Sequence, residues 1–137
     1  MTREKKQKIC LLIPLGIITG LIIYSWVSFL LTDIMPTWRH YSALVLFAVL
    51  VYLYFKSFTK TIIATGLYLL LATLNGLSIT PEIITSWFRL GTPFGSIGTP
   101  HFQILSLMLF VLFLVLNFDT LFNMYLDYKE AKSQRKT

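Results

Sequence analysis

Asn117, Asp119, Asn123 and Asp127 crowd one end of a long apolar run, and the last three recur every fourth residue, which on a helix places them on one face. Carboxylates and amides embedded in such a run are the residue types that line a cation or proton path through an apolar medium. Asn75, in another apolar run, is a further amide of this kind. Asn75, Asn117 and Asp119 are therefore the polar-path candidates. A plainer reading has Asp119 wetted from the inner membrane face, or paired with Lys56 or Lys60.

His40 and His101 are the only two histidines. Two imidazoles can share a metal, a quinone headgroup or a haem, with Asp33 and Glu82 completing a hard-ligand set. These four residues lie in separate segments with no ligand spacing, so the expectation is no metal site and no cofactor. Cys10 is the single cysteine. It excludes an intramolecular disulfide, a CxxC pair and a thiolate cluster. Beside Lys8 it is a position for palmitoylation, though a buried or interfacial free thiol explains it as well.

Signatures of soluble catalysis are missing: there is no GxSxG, HExxH, Walker loop or GxGxxG. The chain reads as a non-enzyme. A broken segment, residues 80–101, offers contact residues instead, with Trp87 and Arg89 as candidates. Within it the sequence GTP occurs twice, at Gly91-Thr92-Pro93 and Gly98-Thr99-Pro100. Its glycines and prolines exclude a regular helix through that stretch.

The elements that must position these residues are membrane spans. Residues 102–116 are almost unbroken Leu, Phe, Val and Met, and the run continues to Phe122. About 20 residues at 1.5 Å each cover roughly 30 Å, the hydrocarbon thickness of a bilayer. Three other stretches share this character, and the spacing predicts spans over residues 9–31, 39–55, 61–79 and 102–122. With 55% hydrophobic and 13% charged residues in 137, the chain is far more apolar than a soluble domain. The predicted fold is a single all-α domain, an integral membrane four-helix bundle with a structured outer loop between the third and fourth helices.

The ends of the spans carry the grammar of helix starts and stops. Pro14 is expected in the first turns of the first helix, where a missing N–H costs least. Pro36 marks the break before the second helix. Thr80, Pro81 and Glu82 read as N-cap, first position and first turn of a helix over 81–90, too short to span, ended by Gly91 and lying at the outer surface. Residues 123–137 form a cytoplasmic tail. Gly16 with Gly20, and Ala72 with Gly76, are small-xxx-small pairs that let helices approach closely, within the chain or between copies.

Charge sets the orientation. With the N-terminus inside, ten Lys and Arg residues lie on the inner side against Arg39 and Arg89 outside, a strong positive-inside bias. Trp26, Trp38 and Trp87 then mark the outer interface, and Tyr52, Tyr54, Tyr125 and Tyr128 the inner one. The net charge of +6 is explained by these ends, so nucleic acid is not an expected partner. Lipid is, together with a second copy or another membrane protein. No Glu falls in any span, which argues against small proton-coupled multidrug exporters. In size, basicity and span number the chain is similar to inner-membrane immunity proteins against pore-forming bacteriocins and to small accessory subunits, a likeness of format.

The expected function is a small non-enzymatic plasma-membrane protein, of bacterial cytoplasmic-membrane type, acting through helix packing as an accessory, assembly or immunity-like factor. The alternative is an oligomeric channel or transporter with a polar path along the third and fourth helices. A membrane redox subunit using His40 and His101 is the third class.

Overall fold

The computed structural model of the chain describes residues 3–81, 85–86, 89–92, 95–98 and 102–134, with side chains for 5–81 and 103–134. Four helices carry the fold: α1 (Arg3–Leu31), α2 (Trp38–Lys56), α3 (Phe58–Thr73) and α4 (Ile104–Gln134). Among the described residues, α1, α2 and α4 are long and apolar enough to cross a membrane, and α3 is a shorter apolar helix. In none of the three long helices is more than 28% of the apolar window buried inside the molecule. Most of their side chains therefore face outward, as in a protein whose solvent is lipid.

Helix α1 starts six residues earlier than the span at 9–31, so Pro14 is its twelfth residue rather than a first-turn one. Proline has no N–H to give the carbonyl four residues back, which here is that of Cys10. α2 starts at a cap made by Thr37 and His40. The Thr37 N–H donates to His40 Nδ1 at 3.0 Å, and the His40 N–H donates to the Thr37 carbonyl at 3.0 Å. Histidine thus stands where a capping box carries Glu or Gln.

A single extended residue, Ser57, joins α2 to α3. Its N–H donates to the Leu53 carbonyl at 2.8 Å, and its own carbonyl accepts from Thr61 Oγ1 at 2.8 Å. The end of one helix is therefore also the cap of the next. The two helices run antiparallel, since the Tyr68 hydroxyl donates to the Ala43 carbonyl and the Ser78 N–H to the Arg39 carbonyl.

α3 stops at Thr73, short of the predicted end at residue 79. Asn75 adopts φ 62, the Asn75 N–H donates to the Ala72 carbonyl, and the Gly76 N–H donates to the Leu71 carbonyl at 2.8 Å. These are the two bonds of a Schellman stop, with Asn in the left-handed position that glycine usually fills. Gly76 thus lies beyond the helix, where an added Cβ would come within 3.1 Å of the Leu71 carbonyl oxygen.

The helix predicted over 81–90 is replaced, in its described part, by strands: β1 (Thr85–Ser86) and β2 (Arg89–Thr92), followed by β3 (Gly95–Gly98) and β4 (Phe102–Gln103). β2 pairs antiparallel with β3, from Arg89↔Gly98 to Thr92↔Gly95, and β1 pairs with β4 through Thr85↔Gln103 and Ser86↔Phe102. The helix-start signals of Thr80 and Pro81 lose to pairing across the glycine-rich stretch, where the chain folds back on itself and a helix would leave the partner strand's backbone unpaired. The Ile104 start of α4 follows directly.

α3 packs between α2 and α4, and α1 lies against α4. The core is formed by Leu11, Leu15, Ile18 and Ile22 of α1, Ile62, Leu69 and Ala72 of α3, and Leu109 and Phe113 of α4. Gly66 of α3 makes room for one side chain in particular: a Cβ there would meet Phe113 Cε1 at 3.2 Å. α2 contributes less, and its N-terminal end closes on α1 through edge-to-face contacts, Trp26 with Tyr41 and Phe29 with His40.

Candidate functional site

Residues 77–79 follow the α3 stop as non-helical backbone, yet Leu77, Ser78 and Ile79 are all buried. Buried backbone outside a helix must find partners elsewhere. Helices α1 and α2 and strand β4 supply them. From α1, Ser25 Oγ donates to the Ile79 carbonyl at 2.8 Å. From α2, the Arg39 carbonyl accepts the Ser78 N–H at 3.3 Å, and His40 Nε2 donates to the Thr80 carbonyl at 2.8 Å. From the residue preceding α4, Gln103 Nε2 donates to the Leu77 carbonyl at 2.6 Å.

Asn75 extends this clasp. Its Oδ1 accepts from Arg39 Nη1 and from Gln103 Nε2, both at 3.0 Å, and Gln103 Oε1 accepts from Ser106 Oγ at 3.2 Å. Ser25, His40, Ser78, Gln103 and Ser106 are each no more than 3% exposed. The clasp is a buried, mutually paired network that ties one end of the bundle together.

The hydrogen bonds of His40 within it select one tautomer. The Thr80 carbonyl can only accept, so Nε2 carries the proton. Nδ1 accepts from the Thr37 N–H and lies 2.9 Å from Thr37 Oγ1. Both ring nitrogens are occupied, leaving His40 no lone pair for a metal. His101 lies outside the described residues. Among the described residues, no group of three or more His, Cys, Asp or Glu could hold a metal ion.

Asn117 is far from Asn75 and the clasp. Fourteen residues along α4 from Gln103, it stands about 21 Å further toward the other end. It is fully buried, its Nδ2 donates to the Phe113 carbonyl at 3.1 Å and to the Cys10 carbonyl at 3.4 Å, and its Oδ1 has no partner among the described residues. Asp119 lies on the exposed face of α4, and its carbonyl accepts from Asn123 Nδ2. The polar-path candidates thus fall in three environments: the clasp for Asn75, the core for Asn117 and the outward face for Asp119.

The packing candidates also divide. Ala72 is in the core, whereas Gly16 and Gly20 are exposed with nothing within 4 Å of an added Cβ. Trp87 lies outside the described residues, and of Arg89 only the backbone is described, as the first residue of β2. Reading the sequence missed Gly66, Ser25 and Gln103. The last two were detectable as lone polar residues inside apolar runs, which need a partner wherever they are buried. Comparison of this chain with protein-family models, with curated proteins and with solved structures finds no match.

Proposed function

We propose that the chain is a small multi-pass protein of a plasma membrane, with both ends on the cytoplasmic side, acting non-enzymatically through packing of its outward faces against a second copy or a membrane partner. The observation that carries this reading is the pair Gly16 and Gly20. They form a small-xxx-small step on α1, yet no described part of the chain covers it, whereas Gly66 is used internally against Phe113. A bare glycine step on a lipid-facing helix is the surface that admits another helix backbone. Beside it, Leu12, Leu15, Gly16 and Thr19 of α1 and Phe47, Val51 and Tyr54 of α2 line a shallow groove.

The distribution of charge supports the orientation. Lys8 and Lys56 line one depression at the α2–α3 joint, so two of the cationic segments meet at one end. Lys8 and Asp119 each lie two residues beyond the Cys10–Asn117 contact toward that end, so they stand at one level and mark a charged boundary. Arg39 is at the opposite end, in the clasp. This is the arrangement that the positive-inside rule selects.

Energy transfer between fluorescently labelled copies in lipid vesicles tests the reading. Transfer that rises with protein density and is lost in Gly16→Leu/Gly20→Leu supports packing through α1. Wild-type protein that stays monomeric at high density removes self-packing. Reporter fusions placing residues 92–95 in the cytosol overturn the orientation.

A further inference from the structure

We propose that the groove between α1 and the start of α4 is a binding site for an acyl-ester lipid of the outer leaflet, one chain lying in the groove and the ester carbonyl hydrogen-bonded by Tyr24 and Ser28. The inference rests on the membrane reading above and adds a ligand to it. The groove has a volume of about 680 Å³, within the range of about 300–1,000 Å³ common for small-molecule sites.

Its described walls are graded along the helix axis. Leu21 and Met108 lie at the deep end, Ile104 and Leu105 in the middle, and Ser28, Thr32 and Thr80 toward the outer end. Leu21, Tyr24, Ser28 and Thr32 fall at steps of three and four, which makes them one stripe of α1. From Leu21 to Thr32 the stripe is about 16 Å long, suited to an extended chain rather than to a compact solute.

The polar groups decide the chemistry of the head. No charged side chain is among the described walls. Thr32 Oγ1 already donates to the Ser28 carbonyl, and Gln103 is spent on Leu77, Asn75 and Ser106. The hydroxyls of Tyr24 and Ser28 have no partner among the described residues. Tyr24 is exposed and Ser28 half-buried along the groove, so both hydroxyls are open to its occupant, and the acceptor that pairs with them lies above an apolar tail. An ester carbonyl at the head of an acyl chain is that acceptor.

The test uses the full chain in phosphatidylcholine vesicles doped with a phosphatidylcholine whose acyl chain carries a diazirine, with adducts mapped by mass spectrometry. The expected result is labelling concentrated at Leu21, Leu105 and Met108 over Val45 and Val49 of α2, which are exposed and lie outside the groove. Tyr24→Phe/Ser28→Ala should lower labelling of the groove by about tenfold, the factor equivalent to 1.4 kcal/mol and expected for two hydrogen bonds, with Val45 and Val49 unchanged. Met108→Trp, which fills the groove, should lower it as well. Equal labelling of groove and α2, or groove labelling that ignores the hydroxyl substitutions, overturns the site while leaving the membrane reading intact. Failure of the chain to partition into vesicles overturns both.

Discussion

Asn117 Nδ2 donates to the carbonyl of Cys10, the one carbonyl of α1 that Pro14 deprives of its helical donor. A proline in the middle of a helix is tolerated where a neighbouring helix re-satisfies the freed group. α4 does this for α1 with a side chain that is itself fully buried. The contact, at 3.4 Å, also sets the register of the two antiparallel helices.

Because the two residues answer one another, their substitutions should not add. Asn117→Leu strands the Cys10 carbonyl and is expected to destabilise by about 1–3 kcal/mol. In a Pro14→Ala background the new residue supplies the missing N–H, and the same change at Asn117 should cost about 1 kcal/mol less. Unfolding of the four proteins in mixed micelles measures the difference; strict additivity would show that the contact carries no energy.

Glycines on the two sides of the bundle should behave oppositely. Gly66→Leu overfills the space held by Phe113 and should cost about 1–3 kcal/mol, part of it recovered by Phe113→Ala. Gly16→Leu meets open space and should leave the stability of the isolated chain unchanged or raised, by about 1 kcal/mol, because leucine is the better helix former. Thermal unfolding in detergent reads both.

His40 is expected to populate the Nε2–H tautomer alone, with Nδ1 accepting. Ring ¹⁵N and ¹³C shifts of labelled protein report this directly. His40→Ala should lose about 2–4 kcal/mol, since it leaves the Thr37 N–H and one donor to the Thr80 carbonyl unreplaced. Zinc should not shift the His40 resonances, whatever it does elsewhere.

Asn75 has a backbone role and a side-chain role that two substitutions separate. Asn75→Gly keeps the left-handed stop but removes the acceptor shared by Arg39 and Gln103, a loss of about 1–2 kcal/mol. Asn75→Ala removes the acceptor and must also hold φ 62, adding about 1 kcal/mol. Chemical unfolding that ranks alanine no worse than glycine would contradict the stop.

Run length, hydropathy, prolines and charge are local properties, and they suffice to place the four apolar helices, with the start of α1 and the end of α3 each displaced by six residues, and the cationic segments and breaks between them. What the polar residues do is settled by packing instead. Thr80, Pro81 and Glu82 spell a helix start, but pairing of Thr85 and Ser86 with Phe102 and Gln103 overrides it. Asn75, Asn117 and Asp119 look alike as polar residues in apolar runs. Only their neighbours in space assign the first to a clasp, the second to a carbonyl freed by proline and the third to the outward face. Gly16 and Gly66 differ in the same way, since the spacing of small residues shows where helices can approach and not which neighbour arrives. The physical reason is that helix formation depends on contacts three and four residues apart. The partner of a buried polar group comes from a distant part of the chain, 107 residues away for Asn117 and Cys10.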